Sequence, residues 1–555
     1  MKTKNKLELT WIGKNERKKV EPRILVEDAQ KSYGDIESGN LLIHGDNLLA
    51  LKSIESDYSN KIKCIYIDPP FNTGAAFEHY NDNIEHSVWI NLMYKRLVIL
   101  HNLLKEDGVL LVEIDDNEMP YLRVILDELF GRDKFVAQIC VKSNNISGNK
   151  TANKEKTVLR NKDNIIIYKK GDTLKVKPQY IERTRWDTHY STYIEFDDNN
   201  NVKEMKKFKD VLIDYGIIER NQTVKEELLN DKKFYKFILE HKKNICRLVN
   251  SIPKELKELS LAHPNEIVSI TDGDNTRYAY NGGRISFLDS SINIINGEEK
   301  FTQLLGDLWT DIDFQNTQNE GGVSFPANKK PEALIRRILD MFTEEGDYVL
   351  DSFLGSGTTA AVANKMNRKW IGIEMGDHVY SHCIVRLNNV IDGKDKSGIS
   401  KYIDYKASGG YRFYELAPSL LNKDKYNNWI ISDEYDADML AEAMAKHNGF
   451  KYIKEQSVFF KQGYSTEKDF IFTTTNFVNL KYLDMLHELL EEDETLLICC
   501  KTYQEECENK YNNISIQKIP QSVLKKYEFG DVDYTLNIED NLEEESEDEI
   551  NEFES

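Results

Sequence analysis

A chain of 555 residues, 40% hydrophobic and 30% charged with a formal net charge of −21, has the length of about three domains. No apolar run reaches the ~18 residues of a membrane span, and Met1–Lys6 leads into no signal-peptide core, so a soluble, cytoplasmic protein that spans no membrane is expected. Its seven cysteines, at 64, 140, 246, 383, 499, 500 and 507, lack paired Cys-x-x-Cys spacing; neither a disulfide framework nor a metal site is expected.

Residues 1–39 read as an N-terminal basic arm. Strand-length apolar runs follow at Leu41–Ile43, Ile62–Ile67 and Val109–Ile114, and helical periodicity fills the intervals over Val88–Leu100 and Tyr121–Phe130. Further strands are expected at Phe135–Val141 and Asn164–Tyr168. Strands alternating with helices imply a mostly parallel sheet covered on both faces.

From Lys142 to Arg185 twelve Lys and Arg stand against four acids. Lys142, Lys150, Lys154, Lys156 and Arg160 open this run, with Asn144, Asn145, Asn149 and Asn153 among them and Trp186 just beyond. Within an acidic chain, amides and an aromatic among cations suit contact with nucleic-acid grooves and phosphates. Lys203–Val249 is expected to be long, charged and helical, and Tyr278–Phe287 a hairpin turned at Asn281-Gly282-Gly283. The α/β rhythm resumes at Pro331–Phe342, Tyr348–Leu350 and Lys369–Ile373.

The simplest topology is one doubly wound α/β domain, residues 40–142 and 306–400, interrupted by an insertion over 143–305. A smaller α/β-like domain is expected over 401–538, with helices at Asp433–Lys446 and Tyr482–Leu490 and strands at Ser457–Lys461, Phe470–Thr474 and Thr495–Cys500. It carries no catalytic motif. Residues 539–555 hold ten acids and no base; such a tail cannot bury enough apolar surface to fold and is expected to be disordered.

Two segments far apart carry chemistry. Ile67-Asp68-Pro69-Pro70-Phe71-Asn72-Thr73-Gly74 closes the run Cys64–Ile67 with an acid, two prolines and an aromatic, the means of holding a flat amino-bearing ring at a strand end. Asp351–Thr359 closes Tyr348–Leu350 with an acid and a glycine turn that runs into helical Thr358–Ala363, so backbone can approach a bound cofactor closely. Open α/β sheets bind ligands beyond the carboxyl ends of their strands, so Asp46, Asp68, Asp351 and Glu374 are expected to converge on one crevice. Taken singly, each such acid is also a ready helix cap.

Together these segments resemble those of S-adenosylmethionine-dependent DNA amino-methyltransferases, and their order, clamp before cofactor loop, is similar to the permuted β group. The stretches Leu9–Lys14, His44–Leu51, Ile114–Glu118, Asp127–Gly131, Gly306–Trp309 and Lys330–Leu334 resemble the modification subunits of type III restriction-modification systems. The resemblance covers roughly residues 1–170 and 300–420. It implies a Rossmann-like methyltransferase sheet with permuted motif order, interrupted by a target-recognition insertion. It also implies a catalytic clamp of Asp68, Pro69, Pro70 and Phe71, with Phe71 where the family more often has Tyr. S-adenosylmethionine would be held by Asp46, Lys330, Asp351, Phe353, Gly355, Gly357, Thr358 and Glu374: Glu374 on the ribose hydroxyls, Asp46 on the adenine amino group, Lys330 on the methionine carboxylate.

An exocyclic amine is a poor nucleophile because its lone pair is delocalised into the ring. Hydrogen bonds from the amino protons to the Asp68 carboxylate and the Pro69 carbonyl would localise that pair, and placement of nitrogen and methyl can supply ~7–11 kcal/mol. Phe71 offers a stacking face worth ~1–3 kcal/mol, which offsets part of the cost of flipping the base out of the duplex.

The expected function is methylation of N6 of adenine in duplex DNA by a modification and specificity subunit of a type III-like restriction-modification or phage-defence system. The clamp would serve N4 of cytosine equally. A DNA-specificity subunit for a partner ATP-dependent nuclease and a protein or RNA methyltransferase are the other readings. No Gly-x-x-x-x-Gly-Lys-Ser/Thr loop is present, so ATP-driven work would need a helicase-nuclease partner. The resemblance further implies a homodimer.

Overall fold

The apolar runs hydrogen-bond into one sheet whose middle strands are buried on both faces. The structure, a computed structural model, describes residues 8–11, 14, 20–72, 86–145, 155, 158–198, 202–272, 275–314, 317–325, 329–403, 405–453 and 458–527. In chain order the sheet contains β1 (Leu25–Glu27), β2 (Leu41–His44), β3 (Ile62–Ile67), β4 (Leu104–Ile114), β5 (Phe135–Lys142), β6 (Lys162–Lys169), β7 (Leu308–Trp309), β8 (Tyr348–Asp351), β9 (Lys369–Glu374) and β10 (Gly410–Leu416). They lie in the order β1-β10-β2-β9-β8-β3-β4-β6-β5-β7, with Tyr33–Gly34 also paired to β10. β10, β2, β9, β8, β3 and β4 are parallel, and β6 runs antiparallel between β4 and β5. All six residues of β3 are buried, which is why this strand reads as a nearly unbroken apolar run rather than an alternating one.

Helices α1 (Asn47–Tyr58), α2 (His86–Leu103) and α3 (Met119–Phe130) close over a core that includes Ile43, Ile65, Ile67, Leu110, Val112, Leu350 and Ile373. Helices α4 (Glu332–Phe342), α5 (Thr358–Lys365) and α6 (Ile384–Ile391) are joined by buried charge rather than by apolar contact alone. Glu332, at the start of α4, lies 2.7 Å from Lys365 on α5 and 2.8 Å from Arg386 on α6. Lys365 also meets Asp395 at 2.6 Å. Two cations and two carboxylates are thus neutralised inside the fold, beneath the turn that precedes α5. Among the described residues no helix is long and apolar enough to cross a membrane.

The chain divides into two compact units, Met1–Lys177 with Asp307–Ser555, and Pro178–Gly306. The insertion therefore begins at 178 rather than 143, because Lys162–Lys169 completes the main sheet between β4 and β5. The expected boundary at 401 also moves: β10 pairs in parallel with β2, so the sheet extends to Leu416. The expected N-terminal arm is in part a sheet edge, with β1 on β10 and Ile24 buried. The acidic tail, 539–555, lies outside the described residues.

In the second unit a sheet of six strands runs Val202–Lys207, Thr192–Phe196, Ile245–Val249, Gly283–Phe287, Asn275–Tyr280, Ile267–Asp272. The hairpin over 275–287 turns on Asn281 (φ 45°) and Gly282 (φ 80°), two left-handed residues as a two-residue hairpin turn requires. Lys203–Val249, expected to be long, charged and helical, is broken into a strand, two short α-helices with the 3-10 helix Glu226–Asn230 between them, and another strand. Gly216 (φ 65°) ends the first helix region and Asp231 caps Lys232–Glu240 by accepting from the backbone N–H groups of Lys233 and Phe234. Trp186, expected among groove contacts, is instead core: it packs with Tyr190, Phe208, Phe234 and Phe301 and is 2% exposed.

Beyond β10 a five-stranded sheet, Lys451–Tyr452, Gly463–Thr466, Asp469–Thr474, Thr495–Cys500, Ile514–Lys518, carries helices Ala437–Asn448 and Leu480–Glu488. Of Ser457–Lys461, expected as a strand, Ser457 lies outside the described residues and the rest forms a turn.

Glu332→Ala removes the carboxylate that Lys365 and Arg386 share while both cations stay fully buried. Loss of about 3–5 kcal/mol of stability is expected, read as a fall in the midpoint of urea unfolding.

Candidate active site

β3, β8, β9 and β2 are neighbours and parallel, so the acids that follow them emerge along one edge. Leu350 stands opposite Ile65 on one side and Ile371 on the other, and Glu374 opposite His44. The order in which the chain fills the sheet reverses between β8 and β3, β3 leading on to β4 and β8 to β9, the position where open α/β sheets form their binding crevice. Asp68 and Asp351 flank that position.

The turn after β8 is held from inside. Asp351 accepts from the Phe353 backbone N–H at 2.9 Å and from the Thr359 hydroxyl at 2.6 Å. Burial pushes its carboxyl up to about 7, against those two hydrogen bonds. Gly357 (φ 79°) starts α5, and Gly355 (φ 54°) has open space where a Cβ would stand. Thr358 accepts from Arg386 at 2.7 Å, and Phe353 is 7% exposed in the main core.

Glu374 braces the same turn. Its carboxylate accepts from the backbone N–H groups of Gly355 at 2.7 Å and of Met375 and Gly376 at 2.9 Å, with His378 at 3.2 Å. Burial opposes its charge, but these donors outweigh it and lower its pKa. Asp46 caps α1 by accepting from the Leu49 N–H at 3.0 Å, and its other oxygen meets the buried Arg96 at 3.2 Å. Asn47, also bonded to Arg96, donates to the Ser352 carbonyl at 2.8 Å. The cap thus ties the end of β2 to the glycine turn.

At the end of β3, Asp68 Oδ2 lies 3.0 Å from the Lys330 ammonium, while Oδ1 is buried with no hydrogen-bond partner among the described residues. Lys330 donates to Glu113 Oε1 at 2.9 Å, and Glu113, wholly buried on β4, accepts from the Tyr66 hydroxyl. Lys330 therefore reaches the clamp side of the crevice, 5.2 Å from the centre of the Phe71 ring. Burial raises the pKa of Asp68, with Lys330 opposing it and Glu113 adding to it. For Lys330, burial is outweighed by Asp68, Glu113 and Asp163, which hold its pKa up. The Pro70 carbonyl accepts from Trp89 Nε1 at 2.9 Å, and Asn72 (φ 55°) donates to Glu118 at 2.7 Å. Thr73 and Gly74 lie outside the described residues.

A family profile described as DNA methylase matches residues 62–384, the span from β3 through the glycine turn to α6. The chain belongs to this DNA methylase family. It is 34% identical over 473 residues to the probable type III restriction-modification enzyme HindVI Mod subunit of Haemophilus influenzae, an alignment covering 78% of this chain and 62% of that one. It is 26% identical to the type III EcoPI Mod subunit of Escherichia phage P1, covering 66% and 62%, and 24% identical to the EcoP15I Mod subunit of Escherichia coli, covering 76% and 73%. The chain thus spans about three fifths of the length of the first two relatives.

The sequence alone does not single out Glu113, Tyr66 and Arg96. Glu113 left a signal: one acid inside the apolar run Val109–Ile114, where a buried charge requires a partner. Of the basic residues expected to contact DNA, Lys150, Lys154 and Lys156 lie outside the described residues. Arg160 is paired with Asp115 at 2.6 Å and donates to Asn117 at 2.9 Å, and Lys142 ends β5.

Asp351 and Glu374 should leave opposite marks on stability. Asp351 has a raised folded pKa, so the unfolded chain binds fewer protons than the fold between 3.8 and about 7, and its contribution is lost as pH rises through that window. Glu374 has a lowered one, so its contribution is present above 4.5 and lost as pH falls through the folded value. The Tm of wild type relative to Asp351→Asn should fall from pH 4 towards neutrality, and its Tm relative to Glu374→Gln should fall on acidification.

Proposed function

We propose that this chain is the modification and specificity subunit of a type III-like restriction-modification or phage-defence system, and that it methylates N6 of adenine in duplex DNA after flipping the base. The observation that carries the proposal is the adjacency of Asp68–Phe71 and the Asp351–Thr359 turn on neighbouring parallel strands, with a clamp oxygen, Asp68 Oδ1, that has no partner among the described residues. The permuted motif order fits that adjacency: the turn nearer the carboxyl end of the chain lies beside the clamp nearer its start.

The residues fit S-adenosylmethionine. Among the described residues nothing fills the space where a Gly355 Cβ would stand and the buried Ser352 hydroxyl has no partner, while Glu374 is held ionised facing the turn. When bound, this cofactor supplies an electrophilic methyl group on sulfur, which the amine nitrogen takes as the carbon–sulfur bond breaks and its electron pair stays on sulfur. Asp351, Phe353, Gly355, Gly357, Thr358 and Glu374 shape and hold its site. Asp46 supports that site through Asn47 and Ser352, and Lys330 joins it to the clamp. Asp68 Oδ1 and the Pro69 carbonyl accept the amino protons, Pro70 fixes the loop through Trp89, and Phe71 stacks on the base. The proton displaced from nitrogen passes to the Asp68 carboxylate or to water.

The 178–306 unit is the reader of the target sequence, and Lys142 and residues 150–160 follow the phosphates. Double-stranded DNA is the substrate, a second copy of the chain the partner in catalysis, and a helicase-nuclease chain the partner in restriction. Incubation with S-adenosylmethionine and unmethylated duplex DNA, followed by digestion and mass spectrometry, should yield N6-methyladenine. N4-methylcytosine instead would overturn the choice of amine, and no methylated base would overturn the proposal. Asp68→Ala should abolish methylation and leave sequence-specific DNA binding intact.

A further inference from the structure

We propose that Glu113 is a positioning residue for the clamp: held by the Tyr66 hydroxyl, it anchors the Lys330 ammonium on Oδ2 of Asp68 and so reserves Oδ1 for the amine. The inference rests on the reading of Asp68 as the amine clamp. Val112 stands opposite Ile67 across β4 and β3, so Glu113 is one step past the last paired position, level with Asp68. Neighbouring residues along a strand face opposite sides. Ile65 and Ile67 belong to the apolar core, and Tyr66 turns the other way to meet Glu113.

An ammonium has three donors. Glu113 takes one at 2.9 Å and Asp68 another at 3.0 Å. Without Glu113, Lys330 would be free to close on both oxygens of Asp68 or to swing towards Asp163. The charged and titratable groups around the clamp are Tyr66 from β3, Glu113 from β4, Asp163 from β6, Asp351 from β8 and Lys330 ahead of α4. Carboxylates outnumber the ammonium at this point. Removing one acid therefore makes Asp68 easier to ionise, and removing the ammonium makes it harder.

The test is methyl transfer by the full chain from tritiated S-adenosylmethionine to unmethylated bacterial genomic DNA, followed against pH. Glu113→Gln should lower kcat by about 10²-fold through misplacement of the clamp, leave KM for S-adenosylmethionine unchanged, and move the acid limb of the profile to lower pH. Lys330→Met should move that limb to higher pH, and Lys330→Arg should bring it back towards the wild-type position. Tyr66→Phe, which deletes a single hydroxyl, should lower kcat with KM unmoved even if Glu113→Gln fails to fold. Limbs that stay fixed, or that move the same way in Glu113→Gln and Lys330→Met, overturn the inference, as does an unchanged kcat in Tyr66→Phe. Wild-type protein that methylates nothing at any pH would bring down the clamp reading and this inference together; active wild type with unmoved limbs brings down this inference alone.

Discussion

The site depends on the register of one strand. β8 enters the sheet between β3 and β9 with Leu350 beside Ile65 and Ile371, and this pairing carries the glycine turn to the end at which Asp68 leaves β3. A slip of one residue would exchange the two faces of β8. Leu350, which packs into the core with Ile65 and Ile373, would face the other side, and Asp351 would lose its place over the Phe353 N–H. Burial on both faces fixes the register, and the register brings two distant segments together.

Gathering acids at one sheet edge costs desolvation, and each acid meets that cost differently. Glu374 takes three backbone N–H groups. Asp46 divides itself between a helix N-terminus and Arg96. Among the described residues Asp351 is served by one N–H and one hydroxyl and no cation, so burial prevails and its pKa rises. Asp68 and Glu113 share Lys330, and neither has that ammonium to itself. Compensation runs from complete at Glu374 to partial at Asp68, following the number of donors that local backbone can offer.

That gradient explains what the sequence disclosed. Acids at strand ends are legible because Cys64–Ile67 and Tyr348–Leu350 are apolar runs that stop abruptly, and the order of strands and helices follows from the same periodicity. Partners are not legible: spacing cannot say that Lys330 meets Glu113, 217 positions away, or that Asp46 finds Arg96 on another helix. Charge alone misleads as well. The cations after Lys142 read as one surface run, yet Lys162–Lys169 is a sheet strand and Arg160 is bound to Asp115. Lys203–Val249 has helical composition, but cross-strand pairing with Thr192–Phe196 takes its first residues into a sheet, as tertiary context overrides weak propensity.

The two acids beside the switch in strand order also differ in what they can offer a ligand. Each oxygen of Asp351 already accepts within its own turn, from the Phe353 N–H and the Thr359 hydroxyl, so a ligand would share that carboxylate with the turn rather than have it to itself. Asp351 is thereby suited to shaping the turn. Asp68 keeps one buried oxygen without a partner among the described residues, an arrangement that costs about 1–3 kcal/mol when nothing fills it. Glu374 is satisfied by backbone groups, whereas Asp68 Oδ1 has no partner among the described residues at a point where a ligand would supply one. On the proposed reading that partner is the amino group, and the donor it brings removes the penalty as the base arrives.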